Sequence, residues 1–223
     1  LGALLLNLIP QLQKSLETEL ARPEQSKLPS LFMFDIQEEQ IADFQKILKE
    51  KNVVIDQISP MIRARLLTVN EESFDKGEGL SENFSREEER EMRFRNRGFN
   101  LSYRDKLSEA ETIVEGRDFS GVFDEENQEH AEISVEQRFA ARLGLKVGDV
   151  LKFDIESIPI TGKIVNLRSV KWTSFRPNFF VQFQPGVLEI APKTFVATVP
   201  NLTLAKKHDL QDALVENLPN ISM

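Results

Sequence analysis

A strand-like apolar run followed by a helix with one apolar face occurs near both ends of this chain, and that arrangement restricts how it can fold. At the first, Leu31-Phe32-Met33-Phe34-Asp35-Ile36 suits a buried strand, and Ile41, Phe44, Ile47 and Leu48 then share one helical face. Lys51-Asn52 breaks that helix. β character resumes at Val53-Val54-Ile55-Asp56-Gln57-Ile58 and continues past Pro60 through Met61, Ile62, Ala64, Leu66 and Val69. At the far end, Phe179–Phe183 and Phe195–Val199 read as strands joined through Pro185-Gly186. Leu210, Ala213, Leu214 and Leu218 then line one face of a helix stopped by Pro219-Asn220, with a further strand expected at Ile221. The two ends therefore read β-α-β and β-β-α, and the expected fold class is α+β, with both ends closing into a single layer.

Between them the pattern changes. Asn70 to Ser85 is polar, contains Gly77 and Gly79, and reads as a loop; Ser85-Arg86-Glu87-Glu88 then has the form of a capping box opening a short charged helix. Phe99–Tyr103 reads as a strand and Gly116–Gln128 as an acidic loop. Val135–Leu143 reads as a helix ended by Gly144, whose lack of a Cβ suits the left-handed cap. The apolar positions from Val150 to Leu167, interrupted by Pro159 and Gly162, suggest a β-meander in a small barrel or sandwich. Residues 71–171 are thus expected to form an inserted β-rich subdomain, and 25–70 together with 172–223 the α+β subdomain. Leu5, Ile9, Leu12, Leu16 and Leu20 form a stripe along a helix over residues 1–24, which suits either packing on its own domain or a stalk continuing a membrane helix.

Composition narrows the function. A formal net charge of -8 disfavours nonspecific attraction to a phosphate backbone, so nucleic acid is not an expected partner. The absence of cysteine excludes a disulfide scaffold, a thiolate metal site and a cysteine nucleophile. Leu1–Ile9 is shorter than the roughly 20 apolar residues that cross a bilayer. Such an apolar start is expected of a piece taken from a longer membrane protein.

Motifs for chemistry are few. His130 and His208 stand far apart and neither has a second ligand at helical spacing, so no metal is expected, although Asp124, Glu125, Glu126 and Glu129 lie near His130. Gly77-Glu78-Gly79 lacks the third glycine of a dinucleotide fingerprint. The sequence has neither a phosphate-binding G-x-x-x-x-G-K-[ST] loop nor a G-x-S-x-G elbow. Arg86, Arg90, Arg93, Arg95 and Arg97 make one basic cluster, interleaved with glutamates at pairing distances along a helix. No cofactor and no catalytic residue are expected. Trp172, Phe175, Arg176 and Phe179 form an aromatic stretch with an arginine, a composition suited to partner or cargo contact or to a core hinge between the subdomains.

Several segments carry a family resemblance. Arg142-Leu143-Gly144-Leu145-Lys146-Val147-Gly148-Asp149-Val150-Leu151-Lys152-Phe153 resembles the helix-turn-strand of MacB-like periplasmic core domains. Phe34–Gln37, Asn100–Arg104, Val114–Arg117, Trp172–Phe180 and Pro185–Glu189 resemble, in the same order, the YbbP-like branch of FtsX-like ABC transporter permeases. The resemblance implies a porter-like α+β part split around an inserted β-rich part, lying at the periplasmic face of the bacterial cytoplasmic membrane. It also implies a cognate cytoplasmic ABC ATPase as partner, acting through transmembrane helices, and a periplasmic protein or lipid-like cargo. The role implied is mechanical coupling and ligand handling, not catalysis. A stand-alone periplasmic binding or hydrolytic domain acting on lipid or cell wall is the alternative reading.

Overall fold

The computed structural model describes residues 29, 31–74, 97–174 and 176–223. The stripe over residues 1–24 and the capping box at Ser85 lie outside them. The described residues form a mixed α/β fold with few helices and a sheet-rich core.

Strand β1 (Leu31–Gln37) is followed by a 3-10 turn and helix α1 (Ile41–Glu50), which buries Phe44, Ile47 and Leu48. Asn52, at φ 52°, turns the chain beyond that helix. Strand β2 begins at Gln57, four residues after Val53, and runs without interruption to Val69. Val53 is buried in the core without being part of a strand. At the other end, β10 (Thr194–Val199) lies between β1 and β2, antiparallel to both, and leads into α3 (Leu204–Asn217). Leu210 and Leu214 of α3 join Phe44, Leu48, Met33, Ile36, Ala197 and Val199 in one apolar cluster, so both helices cover the same side of this three-stranded sheet. A bulge between Met33 and Ile36, with Asp35 at φ 58°, lets both of these side chains enter that cluster despite their odd spacing. The C-terminus returns to the sheet edge, where Phe34 and Ser222 exchange backbone hydrogen bonds of 2.8 and 3.2 Å.

The remaining strands close a six-stranded barrel. They are the second half of β2, β4 (Phe99–Tyr103), β6 (Ala131–Glu136), β7 (Val150–Ile155), β8 (Ile158–Val170) and β9 (Val181–Phe183). Going round the ring, β2 pairs β4, then β9, β6, β8, β7 and β2 again. Ile62, Leu66, Leu101, Ile133, Leu151, Phe153, Ile164, Val181 and Phe183 fill the interior. Two short pieces sit outside the ring: β3 (Glu72–Ser73) folds back on β2, and β5 (Glu111–Gly116) pairs the last residues of β8.

Four sequence expectations change here. Phe179–Phe183 supplies a barrel strand, so the far end gives the layer one strand and not two, and the barrel draws β2 and β9 from beyond residues 71–171. Val135 and Glu136 end a strand; the helix is α2 (Gln137–Leu143), with the Glu136 carboxylate accepting from Phe139 N–H. Pro159 and Gly162 do not divide the meander but lie within β8, which forms one hairpin with β7 about Glu156-Ser157, both at positive φ. Asn70 and Glu71 make another such turn, so the expected loop opens as a hairpin. Gly144 does cap α2 in the left-handed conformation, at φ 69°.

Gly162 marks where the barrel is tightest. A Cβ there would lie 2.4 Å from Ile133 Cγ2 and 3.1 Å from Phe183 Cε1. Gly162→Val is therefore expected to destabilise the protein by about 1–3 kcal/mol through overpacking. A denaturant midpoint equal to that of the parent would contradict the closed-barrel packing.

Candidate functional site

β8 leaves the barrel at Val170, and a strap of irregular chain, beginning with a 3-10 turn at Trp172–Ser174, leads to β9 at Val181. One side of the strap meets the face of the three-stranded sheet that α1 and α3 do not cover. Together they bound a groove of about 360 Å³, lined by Phe32, Phe34, Met61 and Val196 of the sheet and by Trp172, Pro177, Phe179 and Phe180 of the strap. Phe32 and Phe34 touch each other with ring centroids 4.7 Å apart, and Phe34 is 40% exposed. Trp172, 41% exposed, lies 5.5 Å from Phe180, which stacks on Phe139 at 5.0 Å. Arg97 extends its guanidinium over the Phe99 and Phe180 rings, at 5.4 and 5.9 Å from the centroids. Aromatic faces at an open groove can take an apolar ligand with little side-chain ordering cost.

The structure brings two of the four expected contact residues together. Trp172 and Phe179 share this groove, Trp172 open to solvent and Phe179 buried. Arg176 points elsewhere, binding Asp56 at 3.3 Å and Glu109 at 3.5 Å, and so ties the strap to the start of β2 and to the segment before β5. Pro177 O strengthens that tie by accepting from Gln57 Nε2 at 3.0 Å. Phe175 lies outside the described residues.

Beneath the groove is a cluster that sequence reading missed. Arg168, on β8, is fully buried. Its Nε donates to Glu111 Oε1 at 2.9 Å, Nη1 to the backbone carbonyl and hydroxyl of Ser134, and Nη2 to the carbonyl of Phe179. One guanidinium thus fixes β5, β6 and the groove floor relative to one another. Glu111 is buried as well, and is also held by Arg104 at 3.0 Å and Ser108 N–H at 2.9 Å. Burial pushes Arg168 down to about 10, against the opposing pull of Glu111. That value and its higher ordinary one both lie above neutrality, so Arg168 adds no pH dependence near pH 7 and its linkage acts only in strong alkali. The signal for this cluster was present: Asn166 and Arg168 alternate with apolar residues in β8, and Glu132, Ser134 and Glu136 do so in β6.

Glu132 has a different balance. Burial would raise its carboxyl, but Arg117 and the Ser120 N–H, at 2.7 Å, outweigh burial and hold it below its ordinary value of 4.5. Its contribution is present above the unfolded value and lost as pH falls through the lower folded one. Among the described residues no three His, Cys, Asp or Glu side chains are grouped to hold a metal ion.

Three substitutions test this arrangement. Arg168→Met is expected to cost about 3–5 kcal/mol, because Glu111 and two backbone carbonyls lose a buried donor. Trp172→Ala, at an open rim, should cost no more than about 1 kcal/mol. Thermal melts that reverse this order would refute the division into clamp and rim. Glu132→Gln should flatten the acid limb of a stability-against-pH curve, measured by urea midpoints, and an unaltered limb would exclude Glu132 as its source.

No protein-family model matches the chain. It is 28% identical over 170 residues to the uncharacterized ABC transporter permease YbbP of Escherichia coli (strain K12), a match covering 76% of this chain and 18% of that protein. A crystal structure of a domain of a presumed permease from Porphyromonas gingivalis superposes with a TM-score of 0.39 at 10% identity, covering 87% of this chain and 83% of that one. Over those 170 residues the chain is similar to an ABC transporter permease, of whose length the match spans 18%.

Proposed function

We propose that the chain is an extracytoplasmic domain of an ABC transporter permease subunit, which couples ATP-driven motion in the membrane to the handling of a partner or cargo outside it. The match to the YbbP permease carries this reading. No described helix is long and apolar enough to cross a membrane, so in this reading the spanning segments belong to other parts of the permease. With no phosphate-binding loop in the sequence, the energy would come from a separate cytoplasmic ATPase. The domain itself acts without catalysis, in a division of labour between a porter-like layer drawn from 25–70 and 172–223 and an inserted lobe centred on 71–171, which completes its barrel with parts of β2 and β9.

The physical support for coupling is the continuity between layer and barrel. β2 belongs to both and spans roughly 40 Å, so displacement of its first half carries the second with it. Trp172, Arg176 and Phe179 lie in the strap between β8 and β9, which packs against the layer, and Trp172 with Phe34 is exposed at the apolar groove. A lipid-like cargo or an apolar partner segment is the ligand that such walls favour.

Both parts of the proposal can be tested separately. The chain has no cysteine, so Phe34→Cys introduces a unique thiol into it. In the whole permease, expressed in cells with a permeable outer envelope, that thiol should react with a membrane-impermeant maleimide; labelling only after the cytoplasmic membrane is broken would refute the location. Trp172 is the sole tryptophan and reports on the groove directly. Titration with a long-chain fatty acid should shift its emission to the blue in a saturable way, and Phe34→Asp should weaken binding about tenfold or more. An emission spectrum that never shifts would eliminate the groove as an apolar site.

A further inference from the structure

A second cleft lies at the other end of β6. The aromatic groove adjoins the end of that strand, where Glu136 N–H donates to Phe180 O at 2.8 Å, whereas this cleft adjoins its first residue, Ala131, roughly 17 Å away. It encloses about 690 Å³ between the irregular segment around residues 122–130, the segment 185–190 and the start of β8.

Its walls are built, although neither segment is helix or strand. Phe123 N–H donates to Pro185 O at 2.7 Å, and Gly186 N–H donates to Glu189 Oε1 at 2.7 Å. Gly186, at φ +94°, is covered by Val122: a Cβ there would lie 2.8 Å from Val122 Cγ1. Gln128 links the first segment to the barrel by accepting from Gln184 Nε2 at 3.0 Å, and also donates to Ser120 Oγ at 3.0 Å. Despite this fixed backbone, Val122 is 68% exposed and Ile190 97% exposed. Ordered, exposed aliphatic side chains on the wall of a cleft mark an interaction surface.

The charge around them selects the occupant. Glu125, Glu129 and Glu189 line the cleft, and no lysine or arginine does among the described residues. Glu189 is occupied with Gly186; Glu129, with His130 Nε2 3.9 Å from its carboxylate, is still 90% exposed at its side chain, and Glu125 is exposed too. Two copies of the chain docked through this face would bring like charges together, on molecules that each carry a net charge of -8. An anionic lipid surface would be repelled in the same way. A segment that offers aliphatic side chains to Val122 and Ile190 and ammonium or guanidinium groups to Glu125 and Glu129 satisfies both requirements. We infer that this cleft is a docking site for a cationic amphipathic segment of a partner protein, separate from the aromatic groove.

The test uses the full 223-residue chain and a fluorescein-labelled amphipathic helical peptide of leucine and lysine, about 14 residues long. Its counterpart of leucine and glutamate serves as the charge-reversed control. Fluorescence anisotropy should show saturable binding of the lysine peptide and none of the glutamate peptide. Ile190→Glu, and separately the pair Glu125→Lys and Glu129→Lys, should each weaken binding about tenfold or more, as should raising salt to about 0.5 M. The pair Asp212→Lys and Glu216→Lys, on exposed positions of α3, changes the net charge equally and should leave affinity unchanged. The inference is overturned if the parent chain does not bind, if Ile190→Glu binds as tightly as the parent, or if the α3 pair weakens binding as much as the cleft pair. Thermal melts of each variant verify that it is folded. None of these residues lines the aromatic groove, so the result is independent of the fatty-acid titration.

Discussion

The architecture depends on a single strand obeying two sets of partners. Residues 57–61 of β2 pair β10, residues 62–64 pair β4 and residues 65–69 pair β7, so the three-stranded layer and the barrel share one continuous backbone. Pro60 sits at the junction, where the sheet's last cross-strand neighbours give way to the barrel's. A proline supplies no N–H to a ladder, and such a position tolerates it. Its carbonyl remains useful, accepting from the buried hydroxyl of Ser102 on β4 at 2.7 Å. A flexible tether between the two units would let each respond alone to a force; a shared strand does not.

The barrel has apolar packing inside and a second, polar core against its outer wall. Alternate residues of β6 face opposite ways, yet all six are buried, because β5, the strap and the acidic loop cover the outward set. Ser134, Asn166, Arg168, Gln182 and Gln184 form this outer layer with Glu111, Glu132 and Glu136. Apolar contact would hold these segments against the wall in several registers, whereas the fork of Arg168 fits one arrangement of Glu111, Ser134 and Phe179. The groove floor therefore inherits its position from a directional contact.

How much of this was legible depended on whether the period of the sequence matched a single environment. The helix faces of Phe44, Ile47 and Leu48 and of Leu210 and Leu214 could be read, because each helix lies on one sheet with its other side in water. Ala131–Glu136 alternates as a strand should, but its glutamates look like solvent-facing residues, and the short helix after it absorbed its last two positions. Partner choice was the harder problem. Val181–Phe183 and Thr194–Val199 have similar apolar character, yet one completes the barrel and the other the layer, a distinction made by long-range pairing and invisible in local composition. At the groove, the aromatic character of Trp172 and Phe179 was legible, while the role of Arg176 as a tie to Asp56 and Glu109 depends on residues more than sixty positions away.

The backbone bridge between Phe34 and Ser222 brings the first strand and the last residues of the fold to one spot. β1 has β10 on its other side, so this bridge occupies the outer rim of the layer at Phe34. A foreign strand seeking to extend the sheet meets backbone groups already engaged there, which blunts an edge that would otherwise invite aggregation.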